Sequence, residues 1–202
     1  LITRAGSVLA GPLHDAIRQN RPEVVKQLLA DGAYANEIEY NRTPLFLSSQ
    51  SGQQTISEYV INSGANINLV APENQYKRTP LHNASQQGYY SLAKLLIDNS
   101  ADLNLRDWIQ NTALHLASQG HKKDHKDIVE LLISKKADID SKGYRGQTPL
   151  HMAIHQQRIS IANWLIYKGA EVNIADNFGD RPLHLAKPKE AAQLLIYKGA
   201  VV

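Results

Sequence analysis

Residues 145–170 read RGQTPLHMAIHQQRISIANWLIYKGA, and the same phrase returns in altered form five more times along the chain. It begins with a turn and Thr-Pro-Leu-His, continues through two amphipathic stretches and closes on Gly-Ala. The motif leucines lie 32 to 36 residues apart: Leu13, Leu45, Leu81, Leu114, Leu150 and Leu183. A period of this length is typical of repeat architectures, in which each unit buries its apolar face against its neighbours.

The repeated phrase resembles the ankyrin repeat, whose period is about 33 residues and whose signature is T-P-L-H-x-A. The resemblance implies an all-α solenoid of helix-turn-helix units joined by short β-hairpin fingers. It divides the chain into a lead-in at 1–10 and an ankyrin-repeat domain at 11–202. The expected repeats lie near 11–42, 43–78, 79–111, 112–147, 148–180 and 181–202.

Each motif position has a physical role. Proline at the first helical position loses no hydrogen bond, and the preceding threonine can cap the helix. The resemblance implies that the motif histidines hydrogen-bond within and between repeats, so we do not interpret them as a metal or catalytic cluster. They are His14, His82, His115, His151 and His184. Phe46 takes the histidine position in repeat two, where those hydrogen bonds are in doubt.

Small changes in spacing mark the irregular repeats. Repeat four has three extra residues within 120–126, which predicts a longer turn between its two helices. Repeat six is three residues short around 187–189, which predicts a stunted first helix. The extra residues at 70–74 predict a longer finger between repeats two and three. Ser100 and Lys136 replace the glycine that elsewhere ends the second helix, a change expected to cost about 1 kcal/mol each.

Composition narrows the possible functions. The net charge of +3, from 22 basic and 19 acidic residues of mixed distribution, does not indicate a nucleic-acid partner. No apolar run is long enough for membrane insertion, and the absence of cysteine excludes a disulfide framework or a thiolate site. His121 and His125 are spaced i, i+4, but a zinc site needs further ligands that are not evident. With no catalytic motif, we expect no enzyme activity, no metal and no cofactor.

An aromatic residue stands at the tip of every inter-repeat finger. These fingertip aromatics are Tyr40, Tyr76, Trp108, Tyr144 and Phe178. Aromatic side chains are favoured at protein interfaces because they bury a large area with few rotatable bonds. We predict that they contact a partner; the alternative is that each ring packs on a neighbouring finger and stiffens the row.

A second set of candidates follows the motif by seven or eight residues. This inner-helix stripe is rich in glutamine and consists of Arg18, Gln19, Gln50, Gln86, Gln87, Gln119, His155 and Gln156. Carboxamides donate and accept hydrogen bonds, so the stripe could bind the backbone of an extended peptide. A solvated surface of low charge is the alternative.

These observations predict a protein-protein interaction scaffold or adaptor that binds another protein through its concave finger and inner-helix surface. The opening repeat also resembles those of bacterial and host-directed ankyrin proteins. We expect a monomer; a cytoplasmic location is favoured, with export or delivery to a host left open. Two alternatives stay open: a regulatory or targeting arm of a larger enzyme, and a structural array that self-associates.

Overall fold

The computed structural model describes residues 11–71, 76–187 and 189–201, and within them the chain forms stacked helix pairs. The lead-in at 1–10 and residues 72–74 of the longer finger lie outside the described residues. The first, or inner, helices are α1 Pro12–Arg18, α3 Pro44–Gln50, α5 Pro80–Gln87, α7 Ala113–Ser118 and α9 Pro149–His155. The second, or outer, helices are α2 Pro22–Ala30, α4 Gln54–Asn62, α6 Tyr90–Asp98, α8 Lys123–Ser134, α10 Ile159–Tyr167 and α11 Lys189–Tyr197. Repeat six has a four-residue 3₁₀ helix, Pro182–Leu185, in place of an inner helix, which confirms its predicted shortening.

The inner helices begin where the motif predicts. Thr79 lies in extended conformation before Pro80, and its hydroxyl accepts a hydrogen bond from the backbone N–H of His82. In return, the Nδ1 atom of His82 accepts a hydrogen bond from the backbone N–H of Thr79. This reciprocal cap satisfies two helix-end donors, and it recurs at Thr148.

The core runs along the array as a continuous layer between inner and outer helices. The motif leucines of repeats one to five are almost fully buried, and three residues further on stands a small residue such as Ala84 or Ala117. Small side chains there let adjacent inner helices approach closely. From repeat two onward, successive inner helices contact each other more extensively than successive outer helices do. The inner helices are therefore the more tightly stacked layer of the array from repeat two onward.

The extra residues of repeat four do not lengthen the turn as predicted; most of them extend the outer helix. Helix α8 has 12 residues, whereas the other outer helices have nine. Lys123 and Lys126 form i, i+4 ion pairs with Asp127 and Glu130, at 3.8 and 3.3 Å. Because these residues support helix formation locally, the insertion adds about one helical turn.

The structure confirms that two outer helices end on strained residues. Ser100 and Lys136 adopt left-handed φ angles of 68° and 69°. Glycine takes this conformation at the matching positions of other repeats, for example Gly64 at 86°. A side chain at such a position disfavours the left-handed angle, so both helix ends lose stability.

Candidate partner-binding surface

Buried histidines connect the inner helices to the fingers. The Nε2 atoms of His82 and His115 lie 3.1 Å from the backbone oxygens of Asn111 and Gln147, which form the base of the following fingers. His14 and His151 make the same bond, to Arg42 and Asp180. The predicted structural role of these four rings is confirmed.

Because burial disfavours the charged ring, it lowers the pKa values of His82 and His151 and lowers that of His115 to about 4.

Repeat two lacks this connection. Phe46 has no ring nitrogen, and its backbone N–H simply donates to the hydroxyl of Thr43 at 3.1 Å. The finger between repeats two and three, which is also the longer one, is therefore not bound to an inner helix by a histidine.

The fingers are tight turns that hold one another through the backbone. In the finger between repeats three and four, a carboxylate oxygen of the buried Asp107 accepts hydrogen bonds from the N–H groups of Ile109 and Asn111, at 3.1 and 2.9 Å. The backbone N–H of Trp108 donates to the carbonyl of Tyr76 on the preceding finger, at 2.9 Å. Within the described ranges, a single antiparallel bridge, Glu39–Arg42, represents β-structure.

Asp176 repeats the same turn in the last finger, accepting from the N–H groups of Phe178 and Asp180 at 2.9 and 3.0 Å. Burial by itself raises the pKa of Asp176, but these two backbone hydrogen bonds, the side chain of Gln147 and the charge of His151 together outweigh it, and the pKa is lowered. The carboxylate therefore stays charged and the turn stays closed at neutral pH.

All five fingertip aromatics are exposed to solvent, including Trp108 at 55%. Cations stand over four of the rings. Arg18 lies 5.5 Å from the ring centre of Tyr40, and Arg78 lies 5.7 Å from that of Tyr76. Arg145 lies between two neighbouring rings, 5.1 Å from Tyr144 and 5.4 Å from Phe178. The arginines orient the rings and leave much of their area open to solvent.

The inner-helix stripe lies at the C-terminal ends of the inner helices. Its members are exposed, except that Gln119 is half-buried and its Nε2 atom contacts the sulfur of Met152 at 3.5 Å. Gln156 and His155 contact each other through Nε2 and Nδ1 at 3.3 Å. Part of the stripe is thus already engaged within the array, while the remaining carboxamides are open to solvent.

Arginines join the fingertip aromatics to the inner-helix stripe. Arg78 stacks on Tyr76 and also donates through Nη1 to the Oε1 atom of Gln86 at 2.7 Å. Arg18, itself part of the stripe, stacks on Tyr40. Arg78 and Arg145 were not among the predicted site residues. The signal that could have identified them is a basic residue one or two positions after a fingertip tyrosine.

Side chains of each following repeat cap the ends of the inner helices. His125 lies 3.0 Å through Nε2 from the carbonyl oxygen of Gln86, and Arg158 donates to that of Gln119 at 2.9 Å. His125 is 2% exposed and stacks against His121, with ring centres 6.1 Å apart. Among the described residues, no group of three or more His, Cys, Asp or Glu side chains could hold a metal ion. His125 therefore helps to cap the inner helix of the preceding repeat.

Comparison with known proteins shows which repeat family the chain belongs to. Three copies of the family model for ankyrin repeats match residues 13–107, 69–143 and 114–202. The chain belongs to the ankyrin-repeat family. The crystal structure of the human ASB11 ankyrin repeat domain superposes with a TM-score of 0.82 at 27% identity, over 95% of this chain and 85% of that one.

A curated relative matches a shorter part of the chain. Glycerophosphocholine phosphodiesterase gde1 of Schizosaccharomyces pombe is 42% identical over 60 residues. The match covers 29% of this chain and 5% of the yeast protein. The ankyrin chain therefore corresponds to only a small part of that protein.

Ankyrin repeats are generally protein-interaction modules. Within the part of the chain that the structure describes, no helix combines the length and apolar character required to cross a membrane.

Proposed function

We propose that this ankyrin-repeat protein is an interaction scaffold or adaptor that binds a partner protein across the concave side of the array. The fingertip aromatics would provide most of the affinity, and the inner-helix stripe would fix the position of the partner chain. The observation that carries the proposal is the bridge made by Arg18 and Arg78, which unites both sets in one surface.

The surface is preformed, which favours binding. Finger bases are bound to inner helices by buried histidines, and successive fingers are connected by backbone hydrogen bonds such as that from Trp108 to Tyr76. A partner therefore does not have to order these turns on binding, and less free energy is lost to conformational entropy.

The exposed arginines and aromatics indicate what the partner should offer. Arg145 presents an exposed guanidinium beside a ring, an arrangement that can pair with a carboxylate and cover an apolar side chain together. Arg78 is half-buried, and its Nε atom already lies 3.6 Å from Oδ2 of Asp107. Carboxamides such as Gln87 and Gln50 can donate to and accept from an extended backbone. The best candidate is a protein segment with mixed apolar and acidic residues.

A triple variant tests the proposal: Tyr76→Ala, Trp108→Ala and Tyr144→Ala in one chain. The variant loses two cation–π contacts worth about 0.5–1 kcal/mol each, so its melting temperature should fall by less than about 8 °C. Partner capture from a lysate of the source organism, identified by mass spectrometry, should disappear.

The matched control is Tyr34→Ala, which removes an exposed aromatic outside both sets. It should retain the partner that the wild-type chain captures. A much larger decrease in melting temperature for the triple variant would show that the fingertip rings are structural. Unchanged capture by a folded triple variant would exclude the finger surface.

The similarity to the phosphodiesterase favours a second function, in which the repeats are the regulatory or targeting arm of a larger enzyme. The full open reading frame distinguishes the two. A catalytic domain continuous with these repeats would support the enzyme-arm function, and an open reading frame that encodes repeats alone would contradict it.

A further inference from the structure

The outer helices carry a cluster of aromatic and lysine side chains that belongs neither to a finger nor to an inner helix. We call it the outer patch; it consists of Trp164, Tyr167, Lys126, Lys168 and Lys198. The Nζ atom of Lys168 lies 4.6 Å from the ring centre of Trp164 and 5.2 Å from that of Tyr167. The two rings lie 5.6 Å apart. The Nζ atom of Lys126 lies 5.9 Å from the ring centre of Trp164.

Trp164 separates two grooves of opposite charge. One groove, of about 420 Å³, is lined by Lys126 and Lys198 together with Ser160, Asn163 and Tyr167. The other, of about 460 Å³, contains Asp127 and Glu130. The lysine-lined groove therefore favours an anionic ligand.

The outer patch has binding capacity that the protein itself does not use. The indole Nε1 atom of Trp164 is buried from solvent without a hydrogen-bond partner in the described part of the chain. Lys126 is paired with Glu130 at 3.3 Å, but neither Lys168 nor Lys198 has a carboxylate within 4 Å among the described residues.

Tyr167 is 71% exposed, although helix α11 of the next repeat packs beside α10. A tyrosine and a tryptophan that remain accessible between stacked repeats are typical of an interaction site.

We propose that the outer patch binds an acidic peptide segment of a second partner protein. Carboxylates of that segment pair with Lys168 and Lys198, and an apolar side chain occupies the groove beside Trp164 and Tyr167. Charge-assisted pairs of this type are among the stronger hydrogen bonds. Because the patch shares no residue with the finger surface, one chain can hold two partners at the same time.

A membrane surface fits the patch less well than a peptide. Asp127 and Glu130 line the adjoining groove, so a broad anionic surface would meet carboxylates as well as lysines. A narrow segment can lie in the lysine-lined groove alone.

Fluorescence of Trp164 provides the test. The chain has two tryptophans, so Trp108→Phe leaves Trp164 as the sole tryptophan. Two synthetic peptides are titrated into this variant: a 12-residue peptide of Asp and Glu alternating with Leu and Phe, and the same peptide with Lys at every acidic position. We expect a saturable change in Trp164 emission with the acidic peptide alone, weakened by added salt.

Replacement of Lys168 and Lys198 by Gln should weaken binding of the acidic peptide about tenfold or more. The matched control is Lys26→Gln, which removes a lysine that stands 5.5 Å over Tyr59 on the outer helices of repeats one and two. This control should bind the acidic peptide with the same affinity as the Trp108→Phe chain.

Absence of a saturable change, an equal response to the basic peptide or undiminished binding by the double lysine variant would overturn the proposal. So would a change in Trp164 emission produced by phosphatidylserine vesicles but not by the acidic peptide. None of these results bears on the finger surface, whose test uses fingertip variants and does not involve Trp164.

Discussion

Acidification should weaken the array, and His115 allows the size of the effect to be worked out. Its ring is fully buried, with Nδ1 accepting from the backbone N–H of Thr112 at 3.2 Å and Nε2 bonded to the carbonyl of Gln147 at 3.1 Å. Nδ1 also lies 2.9 Å from the hydroxyl of Thr112, so the main cost of protonating the ring is the burial of its charge. The neutral ring is therefore the form that fits the folded state.

The sign of the effect follows from proton linkage. Burial lowers the pKa of His115 from its ordinary value of 6.5 to about 4, so the unfolded chain binds more protons than the folded chain between those values. The stabilisation is fully present above pH 6.5 and is lost as the pH falls toward 4. The full difference corresponds to about 3 kcal/mol, of which about 2 kcal/mol is lost at pH 5. His82 and His151 act in the same direction.

The assay is urea unfolding followed by circular dichroism at pH 7.5 and pH 5.0. In His115→Phe, which copies the residue that repeat two carries at Phe46, the loss of stability between the two pH values should be about 2 kcal/mol smaller than in the wild-type chain. His155→Phe, at an exposed position, should retain the wild-type pH dependence. An unchanged pH dependence in His115→Phe would refute the linkage argument, whatever stability the variant has at pH 7.5.

Four further substitutions test the fold by urea unfolding. Ser100→Gly and Lys136→Gly should each stabilise the array by about 0.5–1 kcal/mol, because glycine adopts their left-handed angles without strain; no gain in either variant would contradict this. Leu114→Ala, at a fully buried position in the middle of the array, should destabilise it by about 3–5 kcal/mol; a loss below 1 kcal/mol would contradict its role in the core. Gly120→Ala should cost about 1–3 kcal/mol, because the added Cβ overlaps the ring of His125; wild-type stability would show that this ring is free to move.

The repeat pattern predicted most of the fold because each feature depends on residues close together in sequence. The Thr-Pro start of α5, the short first helix of repeat six and the left-handed ends at Ser100 and Lys136 all follow from local conformational preferences. The insertion in repeat four was predicted wrongly. Spacing counts the extra residues but does not say whether they join a helix or a turn, and the ion pairs from Lys123 and Lys126 favour the helix.

Candidate site residues were predicted only as two separate sets. Fingertip and stripe positions follow from the repeat, but the arginines that join them were missed because stacking of Arg78 on Tyr76 depends on the path of the finger. The outer patch was missed for a similar reason: Lys126 and Trp164 lie on different repeats, and their distance depends on how α8 and α10 pack.

The sequence by itself determined the number of repeats, the start of the inner helices and the buried roles of the motif leucines and histidines. These features depend on contacts that recur in most of the repeats, so the period carries them. The tertiary structure decided which exposed side chains meet across repeats: Arg145 between Tyr144 and Phe178, and Lys126 against Trp164. Such contacts depend on the stacking angle and spacing of neighbouring repeats, which the period alone does not specify.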